Sequence, residues 1–198
     1  MRHAEFLRRA SCVFWSGLSL GLVLVGCAPP PNRIYIETFN EPLAPKKYTT
    51  DFTEAYFGRS ADGGLDILLR WKQPTQADPT QEMEQIIHAH AFWVPVYGTT
   101  RAEASMLNTT LRFMILTPPT GVGYQGAGFL TFTIDRAGQN LDGRIESGEL
   151  APRQAVGGAR KPFGPARISG RVRAVQDRRQ LLRLLQEAER NLRDAPTP

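Results

Sequence analysis

Leu107-Asn108-Thr109-Thr110-Leu111-Arg112-Phe113-Met114-Ile115 is the stretch on which the fold class turns. Leu107, Thr109, Leu111, Phe113 and Ile115 share one parity; Asn108, Thr110, Arg112 and Met114 share the other. An extended chain points successive side chains to opposite faces, so this run predicts a strand with one face toward a core. The same period recurs along the chain. Leu65, Ile67, Leu69 and Trp71 alternate with Asp66, Leu68 and Arg70, and Leu130, Phe132 and Ile134 with Thr131 and Thr133. Ile168, Gly170, Val172 and Ala174 oppose Ser169, Arg171 and Arg173. Ile34 to Phe39 predicts a first strand and Tyr48 to Phe57 another. The more continuously apolar Ile86 to Val96 predicts a central strand, preceded by a helical turn over Thr80 to Gln85.

Turn chemistry separates these runs at Ala61-Asp62-Gly63-Gly64, Pro74 to Pro79, Pro118-Pro119-Thr120-Gly121 and Gly157-Gly158. Ala151 to Pro165 has several Gly/Pro breaks and few apolar residues, so it reads as a loop across the surface. Many strands joined by turns predict an antiparallel β-sandwich or open barrel. One helix is expected over about 177–192, packed on the sheet. Leu181, Leu184, Leu185, Ala188 and Leu192 form its apolar stripe, and Asp177 with Gln180 forms a capping-box pattern.

The N-terminus carries a different signal. Arg2, Arg8 and Arg9 precede an apolar run from Cys12 to Val25, which ends in Leu24-Val25-Gly26-Cys27. The run is short and Gly/Ser-rich for a membrane span and is flanked as a secretory signal is. Charge, apolar run and Leu-Val-Gly-Cys stand in the order of the lipobox, and the segment resembles a bacterial lipoprotein precursor over residues 1–27 only. That resemblance implies export, acyl attachment at Cys27 and cleavage before it. It makes residues 1–26 a removed signal and Cys27 the lipidated start of a proline-rich tether over residues 27–33; the strand periods and length make residues 34–194 a single β-rich domain. Ala28, where an Asp would favour retention at the inner membrane, implies an outer-membrane position facing the periplasm in a cell with two membranes. The implied partner is the membrane, through Cys27.

Taking 26 residues from 198 leaves 172, enough for one domain with a core. Processing removes Cys12, and acylation consumes the Cys27 thiol. Disulfides, thiolate metal sites and a cysteine nucleophile are thereby excluded from the processed chain. The formal charge falls from +5 to +3, because three Arg and one Glu leave. Residues 144–198 hold twelve Lys/Arg against six Asp/Glu, so an envelope protein or an anionic envelope polymer is a candidate partner. The alternative is a solvated basic face. No recognised nucleic-acid motif is present, and no nucleic acid is expected.

Three constellations bear on chemistry. His88-Ala89-His90 on a strand would project two imidazoles to one side, as in zinc or copper sites. A metal there needs a carboxylate, from Glu82, Glu84 or a neighbouring strand. The alternative is two polar-tipped residues at a sheet surface, since Ile86, Phe92 and Val94 share their parity. Gly138 to Glu149 places Asn140, Asp142, Gly143 and Glu149 at calcium-loop positions, but Gly138 stands where the first carboxylate belongs. A hairpin turning at Asp142-Gly143 competes with that reading, and Asp135 is a further candidate ligand. Gly121-Val122-Gly123-Tyr124-Gln125-Gly126 matches the dinucleotide fingerprint but runs into a strand, and is read as a loop. No Ser stands in a Gly-x-Ser-x-Gly elbow. No catalytic residue and no cofactor is assigned; zinc, copper or calcium at these positions are the alternatives to a non-enzymatic binding or structural domain.

Overall fold

The computed structural model describes residues 32–39, 45–93 and 107–193. Cys27, the signal segment and Val94 lie outside them. The elements are β1 (Arg33–Thr38), β2 (Lys46–Asp51), β3 (Glu54–Arg59), β4 (Leu65–Pro74), β5 (Glu82–Ala91), β6 (Thr109–Thr117), β7 (Thr120–Ile134), β8 (Asn140–Val156), β9 (Ala166–Gln176) and α1 (Arg178–Arg193).

The strands form one sheet in the order β2-β1-β9-β3-β4-β5-β6-β7-β8, and β8 also pairs with β9. That last pairing closes β3 to β9 into a seven-stranded barrel. The chain is mainly β with one C-terminal helix, as expected; the expected sandwich or open barrel is met only in part, since the barrel is closed. Closure follows from the long, bulged β7–β8 pair. Register shifts between Gly123 and Tyr124 and between Phe129 and Leu130 bend the wall, as an extra residue in one strand does. Every pairing is antiparallel except the seam, where β3 runs parallel to β9 over Tyr56↔Val175 and Phe57↔Gln176. β1 occupies the same edge of β9 nearer its start, from Ile34↔Gly170 to Thr38↔Ala166, so the β1–β2 hairpin branches from the wall.

The inward parity fills the barrel. Ile67, Leu69, Ile87, Ala89, Leu111, Phe113, Tyr124, Leu130, Ile145 and Ile168 are all buried in one cluster. Phe163 closes the packing: its ring lies 4.4 Å from that of Tyr124 and 6.1 Å from that of Tyr48. A second cluster lies outside the wall, where Leu181, Leu184, Ala188 and Leu192 of α1 cover Leu68, Ile86, Met114 and Leu116. The Asp177 carboxylate accepts the Gln180 backbone N–H at 2.9 Å, as a cap should. The Asp177 N–H is taken by the Phe57 carbonyl, so the reciprocal half of the capping box is replaced by a bond to β3.

Several sequence expectations are corrected. Tyr48 to Phe57 is two strands, because the Phe52 and Thr53 N–H groups turn to the Asn32 and Arg70 carbonyls. Thr80 to Gln85 is not a helical turn: β5 starts at Glu82 and the chain leaves it after Ala91. The glycine run from residue 121 to 126 is strand, because β6 and β8 supply ladder partners on both sides. The loop expected from Ala151 begins only after Val156, and its Phe163 is core rather than surface.

Candidate functional site

His88 and His90 lie on the outward parity of β5, beyond the part of β5 that α1 covers at Ile86. Register places Asp66 directly opposite His90 and Leu68 opposite His88. One carboxylate oxygen, Asp66 Oδ1, meets His88 Nε2 at 3.0 Å and His90 Nδ1 at 2.9 Å. The other nitrogen of His90 faces Asp62 Oδ2 at 3.2 Å. Both ring nitrogens of His90 therefore face carboxylate oxygens, Nδ1 that of Asp66 and Nε2 that of Asp62. Partial burial pushes the Asp66 carboxyl up, but the hydrogen bonds from both imidazoles outweigh it and hold the group below its usual range. The Ser60 hydroxyl and the Gly64 N–H both donate to Asp62, which is likewise held low, first by the Ser60 bond.

The side chains of Asp66, His88 and His90 are 17, 12 and 23% exposed, a half-sheltered cluster at the β3–β4 turn. Sequence reasoning placed the two imidazoles on one face but did not find Asp66. Its only signal was its parity in the β4 alternation, and the pairing depends on register. Glu82 and Glu84 do not join the cluster. Glu82 pairs with Lys72, and Glu84 with Arg70 in a nearly buried ion pair. Zinc would need its donors about 2.0–2.2 Å from one point. Among the described residues no group of three or more His, Cys, Asp or Glu is arranged to hold a metal ion. In this geometry Asp66 joins the two rings itself. Ser60 donates to the Asp62 carboxylate rather than to an imidazole, so it is not part of a Ser–His pair.

The calcium-loop residues are drawn out along β8. The hairpin turn lies at residues 135–139, earlier than Asp142-Gly143. Gly138 takes a φ of 72°, and the Asp135 carboxylate accepts from the Gln139 N–H at 2.8 Å and the Asn140 amide at 2.7 Å. Asp142 meets Arg171 Nη2 at 2.7 Å and Arg173 Nε at 3.1 Å, pairs that hold its carboxyl below the usual range. Glu149 is further along β8, beyond the irregularity between Ile145 and Gly148.

Gly121 and Gly123 face α1. A Cβ on Gly121 would lie 3.0 Å from Leu192, and one on Gly58, under the start of the helix, 2.8 Å from the Arg178 Cβ. These glycines let the helix approach the wall; they do not open a helix N-terminus to a phosphate. Trp93 leaves the strand, donates to the Leu107 carbonyl and packs beside Phe129.

The outward face of α1 was also missed. Its exposed positions are Arg178, Arg179, Leu182, Arg183, Gln186, Arg190 and Arg193. The acidic residues of the helix are turned partly inward: Glu189 accepts from Arg112 at 2.6 Å, and Glu187 lies near Arg70. The i, i+4 charge spacing was present in the sequence, hidden by the apolar stripe read from the same segment.

The chain matches no family model, no curated protein and no solved structure.

Proposed function

We propose that this chain is a lipid-anchored protein of the cell envelope, whose barrel is a non-enzymatic binding or structural domain. The observation that carries the reading is Leu24-Val25-Gly26-Cys27 behind a basic segment and an apolar run. The fold is compatible with it. The described chain starts at Asn32, only five residues after Cys27, so the barrel would sit within about 17 Å of the acylated residue. Acylation at Cys27 gives durable attachment because several chains insert together. In a cell with two membranes, Ala28 favours the periplasmic face of the outer membrane. Metabolic labelling with a fatty acid, followed by flotation, tests the reading. Acyl label and membrane retention should both vanish in Cys27→Ser, and retention by that variant would sink it.

A second reading is a metal module at His88 and His90, favoured by the convergence of Asp66 on both imidazoles. It requires the Asp66 oxygen to move aside and share an ion with the rings. Calorimetry with zinc and copper tests it: stoichiometric binding lost in His88→Ala/His90→Ala would establish the module.

A further inference from the structure

Helix α1 shows an arginine row to solvent. Arg179, Arg183, Arg190 and Arg193 follow one another at near-helical spacing, with Arg178 beside the first. Along a helix rising 1.5 Å per residue, that row extends about 21 Å. No carboxylate occupies an exposed position of the helix; Asp177, the cap, lies just before it and is engaged by Gln180. Like charges four residues apart repel, and Arg178 and Arg179 stand at the end where the helix dipole is already positive. Isolated in water, the row is electrostatically unfavourable, and an external anionic surface would relieve it. Leu182, 40% exposed, stands among the arginines, so the face offers an apolar side chain together with long cationic ones.

The position of the row matters as much as its charge. Asn32, the first described residue, accepts the Arg173 N–H through Oδ1 at 2.6 Å. Arg173 lies four residues before the cap Asp177, about 13 Å along an extended chain. The tether and the arginine row therefore start at the same end of the barrel.

We propose that the outward face of α1 docks on an anionic phospholipid headgroup surface, laying the barrel side-on against the bilayer that holds Cys27. This rests on the lipid-anchored reading above. Lipid is favoured over a soluble acidic polymer because the short tether keeps this end of the domain at the membrane.

The test uses the mature lipidated protein carrying Gln186→Cys, labelled with a fluorophore. It is reconstituted in phosphatidylglycerol-containing or pure phosphatidylcholine vesicles with an acceptor dye at the headgroups. Energy transfer should be roughly threefold or more stronger with phosphatidylglycerol, and high salt should abolish the difference. Arg179→Gln/Arg183→Gln/Arg190→Gln should also abolish it, with the helical circular dichroism unchanged. Equal transfer in both lipids, or indifference to those substitutions, overturns the proposal. So does displacement of the helix from vesicles by soluble polyphosphate at matched phosphate concentration, which would assign the face to a free polyanion. Flotation of the same samples scores the anchor separately. A chain that carries no acyl group and fails to float overturns the anchored reading, and vesicles added from outside then report whether the arginines bind them.

Discussion

The Asn108 side chain serves as a substitute strand for Leu130. Its Nδ2 donates to the Leu130 carbonyl and its Oδ1 accepts the Leu130 N–H, both at 2.7 Å, and Asn108 is fully buried. β6 starts only at Thr109, so without this amide the Leu130 backbone would lose both partners inside the wall. Asn108→Ala should cost about 2–4 kcal/mol, since two buried backbone groups are orphaned. Asn108→Asp should cost at least as much, because a carboxylate would face the Leu130 carbonyl. Urea unfolding measures both, and a cost below about 1 kcal/mol for Ala would show that water or a shifted strand replaces the amide.

Phe163 should be as costly to remove as a residue within a strand. It stacks on Tyr124, Phe113 and Tyr48, and its carbonyl accepts the buried Tyr124 hydroxyl at 2.9 Å. Phe163→Ala should lose about 3–5 kcal/mol and Tyr124→Phe about 1–2 kcal/mol. If the first were tolerated at under 1 kcal/mol, the loop would not be part of the core.

Acid should weaken the Asp66 cluster. The folded-state carboxyl is held below its ordinary value of 3.8, so its stabilisation is full above that value and is lost as the pH falls through the lower one. Unfolding midpoints followed downward from pH 6 should therefore fall below about pH 4, and Asp66→Asn should flatten that part of the curve. Identical acid profiles for the two proteins would remove Asp66 from the account.

The seat of α1 depends on absent side chains. Gly58→Leu would force a Cβ to within 2.8 Å of the Arg178 Cβ and 3.1 Å of its Cα, which is backbone and cannot swing away. A loss of about 1–3 kcal/mol is expected, with Leu68 and Ile86 more accessible to hydrogen exchange on their strands. An unchanged melting temperature would mean that the helix slides without penalty.

Asp142→Ala should be nearly silent. Asp142, Arg171 and Arg173 are 46, 53 and 52% exposed, and pairs so wet contribute under about 1 kcal/mol. A larger loss would reveal a ligand held at Asp142, and a melting curve with and without calcium would then identify it.

Much of the wall was legible because apolar residues mark one face of a strand. Leu65 to Trp71 and Thr109 to Ile115 needed nothing more, although Leu107, expected on the core face, stands exposed before β6. Gly121 to Gly126 could not be read this way: glycine has no side chain to declare a face, and three of them masked the strand carrying Val122 and Tyr124. β8 was cut short for a related reason, since Pro152 looks like a break but stands in the strand beside a register shift. The imidazole pair was legible from its spacing of two. Its partner was not, because Asp66 lies 22 residues from His88 and 24 from His90, and only the β4–β5 register brings them together. Barrel closure was the least visible feature. It depends on two residue pairs, Tyr56↔Val175 and Phe57↔Gln176, whose sequence carries no mark of being neighbours.

That seam also sets a timetable. Every other pairing in the barrel joins strands consecutive in sequence, β8–β9 included, so the curved sheet can grow hairpin by hairpin. The cylinder cannot be completed until Val175 and Gln176 have emerged from the ribosome. Until then the wall can be no more than an open sheet. If the chain is exported as proposed, the lock is placed where it engages last.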